Sequence, residues 1–184
     1  MTIIGINASP RNNGNSAVLV NEVLKGAQEA GAQTEVFHLD SMNINGCKAC
    51  GACHRSKELF CVQKDDMQSL YHALDDADGI VIGSPVYMAL PSAQAVLFLN
   101  RLYGLRYNDD KGQPHDKIAP KKVVTVYAQG APMPDYYTTN FDIVDGGFGK
   151  MLQTKVLKRI VCAGTFDEAL IAEAREAGKA LAQD

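Results

Sequence analysis

The chain has 184 residues, 46% hydrophobic and 21% charged, and its 18 Lys and Arg against 21 Asp and Glu leave a net charge of −3. That balance excludes a disordered chain and suits one globular domain, expected to span residues 1–184. With no run of Lys or Arg and no apolar stretch near the roughly 20 residues that cross a bilayer, neither nucleic acid nor a membrane is expected as a partner. Met1 leads straight into a strand-like segment rather than a basic and then apolar leader, so a cytoplasmic location is expected.

Thr2–Asn7 (TIIGIN) reads as the first strand, apolar at nearly every position, as a strand covered on both faces must be. Behind it, Ala8–Ser16 (ASPRNNGNS) leads into a helix marked by Val20, Val23, Leu24 and Ala27. A helix N-terminus exposes unpaired N–H donors and a partial positive charge, so a phosphate is stabilised there without a metal. Ser9, Asn15 and Ser16 add neutral donors, Arg11 adds a planar cation, and Gly14 allows close backbone approach. An ordinary capped turn needs one such residue; this loop offers five and an arginine. It is neither the dinucleotide fingerprint G-x-G-x-x-G nor a Walker loop, which makes a mononucleotide the better ligand.

Thr34–His38 (TEVFH) is the second strand, and four of the five cysteines follow within fifteen residues as C-x2-C-x2-C-x7-C: Cys47, Cys50, Cys53 and Cys61. In a reducing compartment such crowding points to metal ligation or redox thiols rather than disulfides. Thiolates at i, i+3 and i+6 can take three corners of a cubane, and a fourth from the same segment completes it. Zinc, or unligated oxidisable thiols, are the other readings. Lys48, Arg55, Lys57 and Lys64, opposed by Glu58, would lower the cost of an anionic centre or simply form a solvated face.

Met67, Leu70, Tyr71 and Leu74 mark the next helix, with Asp65 and Gln68 in N-cap and N3 positions. Gly79–Gly83 (GIVIG) is the third strand, and Pro91 and Ser92 open a helix carried by Val96 and Leu97 that ends near Gly104. Arg106–Pro120 reads as a polar connection: a solvated excursion, a lid or a subunit contact. Val123–Ala128 is the fourth strand, Thr138–Leu152 a weaker helix, and Lys158–Cys162 the fifth strand, with Cys162 a buried structural thiol. Thr165 with Glu168 forms a capping-box pattern before Leu170, Ala174, Ala177 and Leu181. Strands alternating with helices predict an α/β doubly wound parallel sheet, of flavodoxin-like order 2-1-3-4-5 or a half-Rossmann arrangement. Both bind ligands beyond the carboxyl ends of the strands.

SPRNNGNS after the first strand and GSPVYMALPSA (Gly83–Ala93) after the third resemble the two signature loops of the NADPH-dependent FMN reductase-like branch of the flavodoxin superfamily. The resemblance covers essentially the whole chain and implies a three-layer flavodoxin-like sandwich. It implies that Ser9, Arg11, Asn15 and Ser16 hold the FMN phosphate, and Gly14, by allowing close backbone approach, is counted with them as FMN-binding. Ser84, Pro85, Val86, Tyr87 and Met88 would lie against the isoalloxazine, and Gln129 and Gly130 would flank its other edge. A rigid proline turn, an aromatic ring and a thioether also suit a flat apolar ring on physical grounds. The cysteine run, an insertion at 46–62, resembles that of the iron-sulfur flavoproteins, in which four cysteines hold a [4Fe-4S] cluster that exchanges electrons with FMN.

Three functions follow. One is an iron-sulfur flavoprotein passing electrons between a [4Fe-4S] cluster and FMN, with the flavin rather than a protein side chain carrying the chemistry. The second is an NAD(P)H-dependent reductase of FMN, quinones or azo compounds without a cluster, its NAD(P)H contact transient. The third is a non-enzymatic electron carrier. The partner would be a ferredoxin-like redox protein or a small acceptor, and the resemblance implies a homodimer or homotetramer.

Overall fold

The computed structural model describes residues 1–183. The five expected strands are present as β1 (Thr2–Asn7), β2 (Gln33–His38), β3 (Gly79–Tyr87), β7 (Lys122–Gln129) and β8 (Val156–Ala163), in one parallel sheet of order β2-β1-β3-β7-β8. β1 lies between β2 and β3, which is the flavodoxin-like order; a half-Rossmann unit would put β2 in the middle of the first three. Alternation along the strands divides the apolar side chains into two cores. Ile4, Ile6, Ile80, Ile82, Val123 and Tyr127 face α2 (Met67–Asp76), α3 (Ala93–Arg101) and α4 (Thr138–Met151). Ile3, Val81, Val124, Val126, Ile160 and Cys162 face α1 (Asn15–Glu29) and α5 (Glu168–Leu181).

Several local expectations are corrected. β3 runs past Gly83 to Tyr87, because the short strand β4 (Leu90–Pro91) pairs back on it across a two-residue turn. That turn places Met88 and Ala89 at φ 50 and 68, a left-handed conformation costing about 1–2 kcal/mol per residue without glycine. Asn140 Nδ2 offsets part of this by donating to Ala89 O at 2.7 Å. Asp66 directly precedes α2 but makes no side-chain cap; Asp65 Oδ1 accepts from Met67 N at 3.3 Å, as a cap would, and the same carboxylate also pairs with Arg101. Asp167, not Thr165, caps α5, accepting from Leu170 N at 3.0 Å. Ser92 caps α3 as expected, accepting from Ala95 N at 3.2 Å. The polar stretch 106–120 is a hairpin of β5 (Arg106–Asn108) and β6 (Pro114–Asp116).

Among the described residues no helix is long and apolar enough to cross a membrane.

Candidate functional site: a cleft at the carboxyl edge of the sheet

The loops after β1, β3 and β7 meet at the carboxyl edge, where doubly wound sheets bind ligands. They enclose a cleft of about 250 Å³ lined by Ser9, Arg11, Gly14, Asn15, Ser16, Pro85, Val86, Tyr87, Ala128, Gln129 and Gly130. Larger grooves flank β8 and β2 at the lateral edges of the sheet, away from the carboxyl ends of the strands.

Polar groups inside the first loop satisfy one another. Asn7 Oδ1 accepts from Ser9 N at 3.0 Å, Ser9 Oγ accepts from Arg11 N at 3.1 Å, and Arg11 O accepts from Gly14 N at 3.1 Å. Gly14 stands at the N-cap of α1 and brings no side-chain cap, so the first N–H groups of the helix remain available for a ligand. A Cβ on Gly14 would sit 3.2 Å from Ser9 Oγ and 3.4 Å from Arg11 O, inside the cradle itself. Asn15 Nδ2 reaches down to Cys162 Sγ at 3.6 Å, and that thiol is buried, as expected of a core cysteine. Gln129 is buried at the opposite wall, with Nε2 donating to Met133 O at 2.7 Å and Oε1 left without a partner. A shallow cradle of backbone and neutral donors, with the Arg11 cation and a buried Gln129 amide oxygen that has no partner among the described residues, fits a phosphorylated mononucleotide such as FMN.

Ser84 and Met88 do not join the lining. The Ser84 hydroxyl donates to Pro85 O at 2.8 Å and accepts from Ser92 N at 2.9 Å. Ser92 Oγ in turn donates to Ala8 O at 2.8 Å, so the pair ties the two ligand loops together. Met88 is 95% exposed at the tip of the turn. Ala128 lines the cleft unannounced, its only signal being its place at a strand end.

The cysteine segment lies at the same edge, after β2. Cys47 and Cys50 are exposed, and Cys53 and Cys61 are half-buried. Burial pushes the Cys53 thiol up, against the Lys117 charge, and the neighbouring cysteines raise it further. Two sulfurs accept backbone N–H bonds, Cys47 from Ala49 at 3.4 Å and Cys61 from Gln63 at 3.5 Å. Lys48, Arg55, Lys57 and Lys64 are exposed. The half-buried cation in the segment is Lys117, from the far side of the hairpin, where residue type and spacing gave no sign of it. Among the described residues, no group of three or more His, Cys, Asp or Glu could hold a metal ion.

The neck of the segment is closed by Arg101 and Asp65, whose side chains are each 1% exposed and meet at 2.6 Å. Arg101 Nη1 also donates to Asn45 O at 2.7 Å, and Asp65 accepts from Asn45 N at 2.9 Å. Burial alone would raise the Asp65 carboxyl, but the hydrogen bonds from Arg101 and Asn45 outweigh it and hold the group below the usual carboxylate range.

The sheet order and the mononucleotide-type cleft define a flavodoxin-like protein. Residues 1–133 match the NADPH-dependent FMN reductase family, and the chain belongs to it. An iron-sulfur flavoprotein of Archaeoglobus fulgidus is 37% identical over 108 residues, 58% of this chain and 48% of that protein. Another, from Methanosarcina thermophila, is 39% identical over 106 residues, 58% of this chain and 54% of its own. The chain thus spans about half the length of the curated relatives it matches. The NAD(P)H:quinone oxidoreductase of Methanothermobacter marburgensis superposes over 97% of this chain and 98% of its own, with a TM-score of 0.73 at 18% identity, a likeness of fold.

Proposed function

We infer that the chain forms one FMN-binding unit that takes reducing equivalents from NAD(P)H and delivers them to a small oxidised acceptor such as a quinone. The observation that carries this is the uncapped N-terminus of α1 opening into the cleft between the β1, β3 and β7 loops. Ser9, Asn15, Ser16 and the first N–H groups of α1 would hold the FMN phosphate, and Arg11 would neutralise it. Pro85, Val86 and Tyr87 would form an apolar wall for the ring, with Gln129 and Gly130 opposite. Bound FMN supplies hydride and single-electron chemistry. Arg11 and Tyr87 are the titratable groups of the lining, and neither is required as a general acid. Addition of FMN to flavin-free protein should quench its fluorescence with one site per chain, and NAD(P)H should then be oxidised with a quinone as acceptor. Absence of saturable quenching would remove the reading.

A specific observation favours a second reading, in which the four cysteines hold a [4Fe-4S] cluster. They share one segment, and two sulfurs accept backbone N–H bonds. The donor set fits a cubane in kind and number. Its thiolates bind four separate irons, so they need not converge as the ligands of a single ion do. Cys47, Cys50, Cys53 and Cys61 would then hold a one-electron centre beside the flavin. About four irons and four sulfides per anaerobically purified chain, lost when all four cysteines are replaced, would support it. Flavin without iron, and quinone turnover unchanged in the cysteine-free protein, would leave the plain reductase.

A further inference from the structure

The seven-residue spacer between Cys53 and Cys61 has little regular structure, yet it is held at both ends by one side chain. Lys117 Nζ donates to Cys53 O at 2.8 Å and to Leu59 O at 2.6 Å. The same ammonium lies 5.8 Å from the centre of the Phe60 ring. Lys117 itself is fixed from behind. Its N–H donates to Leu105 O at 2.9 Å, and the preceding hairpin is closed by Arg106 on Asp116 at 2.8 Å and by stacked Tyr107 and His115 rings. Two rings of the spacer also reach outward: His54 lies tilted on Tyr103 at 4.1 Å, and Phe60 stacks on Tyr71 at 5.1 Å.

A half-buried ammonium that spends two donors on main-chain carbonyls is costly to place, and among the described residues Lys117 makes no ion pair. We propose that Lys117, carried by the 106–116 hairpin, is the positioning residue of the cysteine segment: it bends the spacer so that Cys61 returns to Cys53 and sets a fixed positive charge behind both sulfurs. The hairpin is then a clamp on the cysteine segment. The positional part is independent of what the cysteines bind; the charge part rests on the iron-sulfur reading.

Amide hydrogen exchange of the cluster-free protein tests the positional part, using Lys117→Met and Lys117→Arg, with FMN affinity as the control. In K117M residues 53–61 should exchange at least tenfold faster while the amides of α1 keep their rates and FMN binds unchanged; K117R, which keeps the charge and donors, should restore protection. Unchanged exchange in K117M, or equal loss in K117R and K117M, would overturn the proposal. In protein reconstituted with iron and sulfide, K117M should release iron to a chelator about tenfold faster and be reduced at a lower potential than wild type, because a neighbouring cation has gone. K117R should lie near wild type in both, and a potential unmoved in K117M would overturn the charge part. Wild-type protein that takes up no iron yet shows the exchange pattern would support the clamp and remove only the iron-sulfur reading.

Discussion

Two functional loops leave the same sheet edge and are built in opposite ways. The cleft is made by regular structure: β1 and β3 end beside each other, α1 begins between them, and short hydrogen bonds within the loops do the rest. The cysteine segment has almost no regular structure, and charged side chains from distant elements hold it, Arg101 at its neck and Lys117 at its middle. Pre-organisation by backbone resists single substitutions. Pre-organisation by a buried ion is concentrated in a few atoms, and one substitution releases it.

The largest effect should come from breaking the neck. Arg101→Met leaves the Asp65 carboxylate buried without its partner, a change that costs about 3–5 kcal/mol in measured cases. Urea unfolding should register it, and adding Asp65→Asn to the same protein should recover part of the loss. A cost below about 1 kcal/mol would mean that the segment is held by something other than the ion pair. On the cleft side, the corresponding break needs a backbone-level insult. A Cβ on Gly83 would overlap Val20 Cγ2 and approach Ser16 O at 3.1 Å, pushing α1 off the sheet at its ligand end. Gly83→Ala should therefore cost about 1–3 kcal/mol in unfolding and weaken FMN in the same variant. FMN affinity at the wild-type value would disconnect α1 placement from the cleft.

The same contrast decides what was legible in the sequence. The strands and the first loop follow from local rules: apolar runs buried on both faces, a helix starting just after a strand, and donors packed around its N-terminus; the strand order, which those rules leave between two arrangements, came from the family resemblance. Asp65, Arg101 and Lys117 lie 36 and 52 residues apart from Asp65 onward, and no periodicity connects them. Asp65 therefore reads locally as a helix cap, and the same carboxylate that accepts from Met67 N also takes an ion-pair partner from across the fold. Lys117 sits in a stretch with the composition of a solvated loop, and only the hairpin reveals where its ammonium points. Ser84 shows what spacing leaves out: it belongs to a ligand-loop motif, and its hydroxyl bonds the loop's own backbone.

A smaller effect separates binding from stability. Arg11 is exposed at the cleft, so Arg11→Ala should weaken FMN about tenfold by loss of one charge-assisted contact. Its unfolding free energy should stay within about 0.5 kcal/mol of wild type, as for a surface substitution. A loss of stability with unchanged affinity would assign Arg11 to the loop's architecture instead.

The gentlest probe is pH, because it vanishes at neutrality. Asp65 is held below its ordinary range in the folded protein, so in acid the unfolded chain binds the extra proton first. The pair's contribution is therefore complete above the unfolded value of about 3.9 and is lost as pH falls through the lower folded value. The stability difference between wild type and Asp65→Asn should accordingly be constant above about pH 5 and shrink below about pH 4. Amide exchange at residues 46–64 should quicken over that same acid range while the amides of α1 hold their protection. If both regions loosen together, the neck ion pair and the cleft are one cooperative unit, and the division between a backbone-built site and a side-chain-pinned one fails.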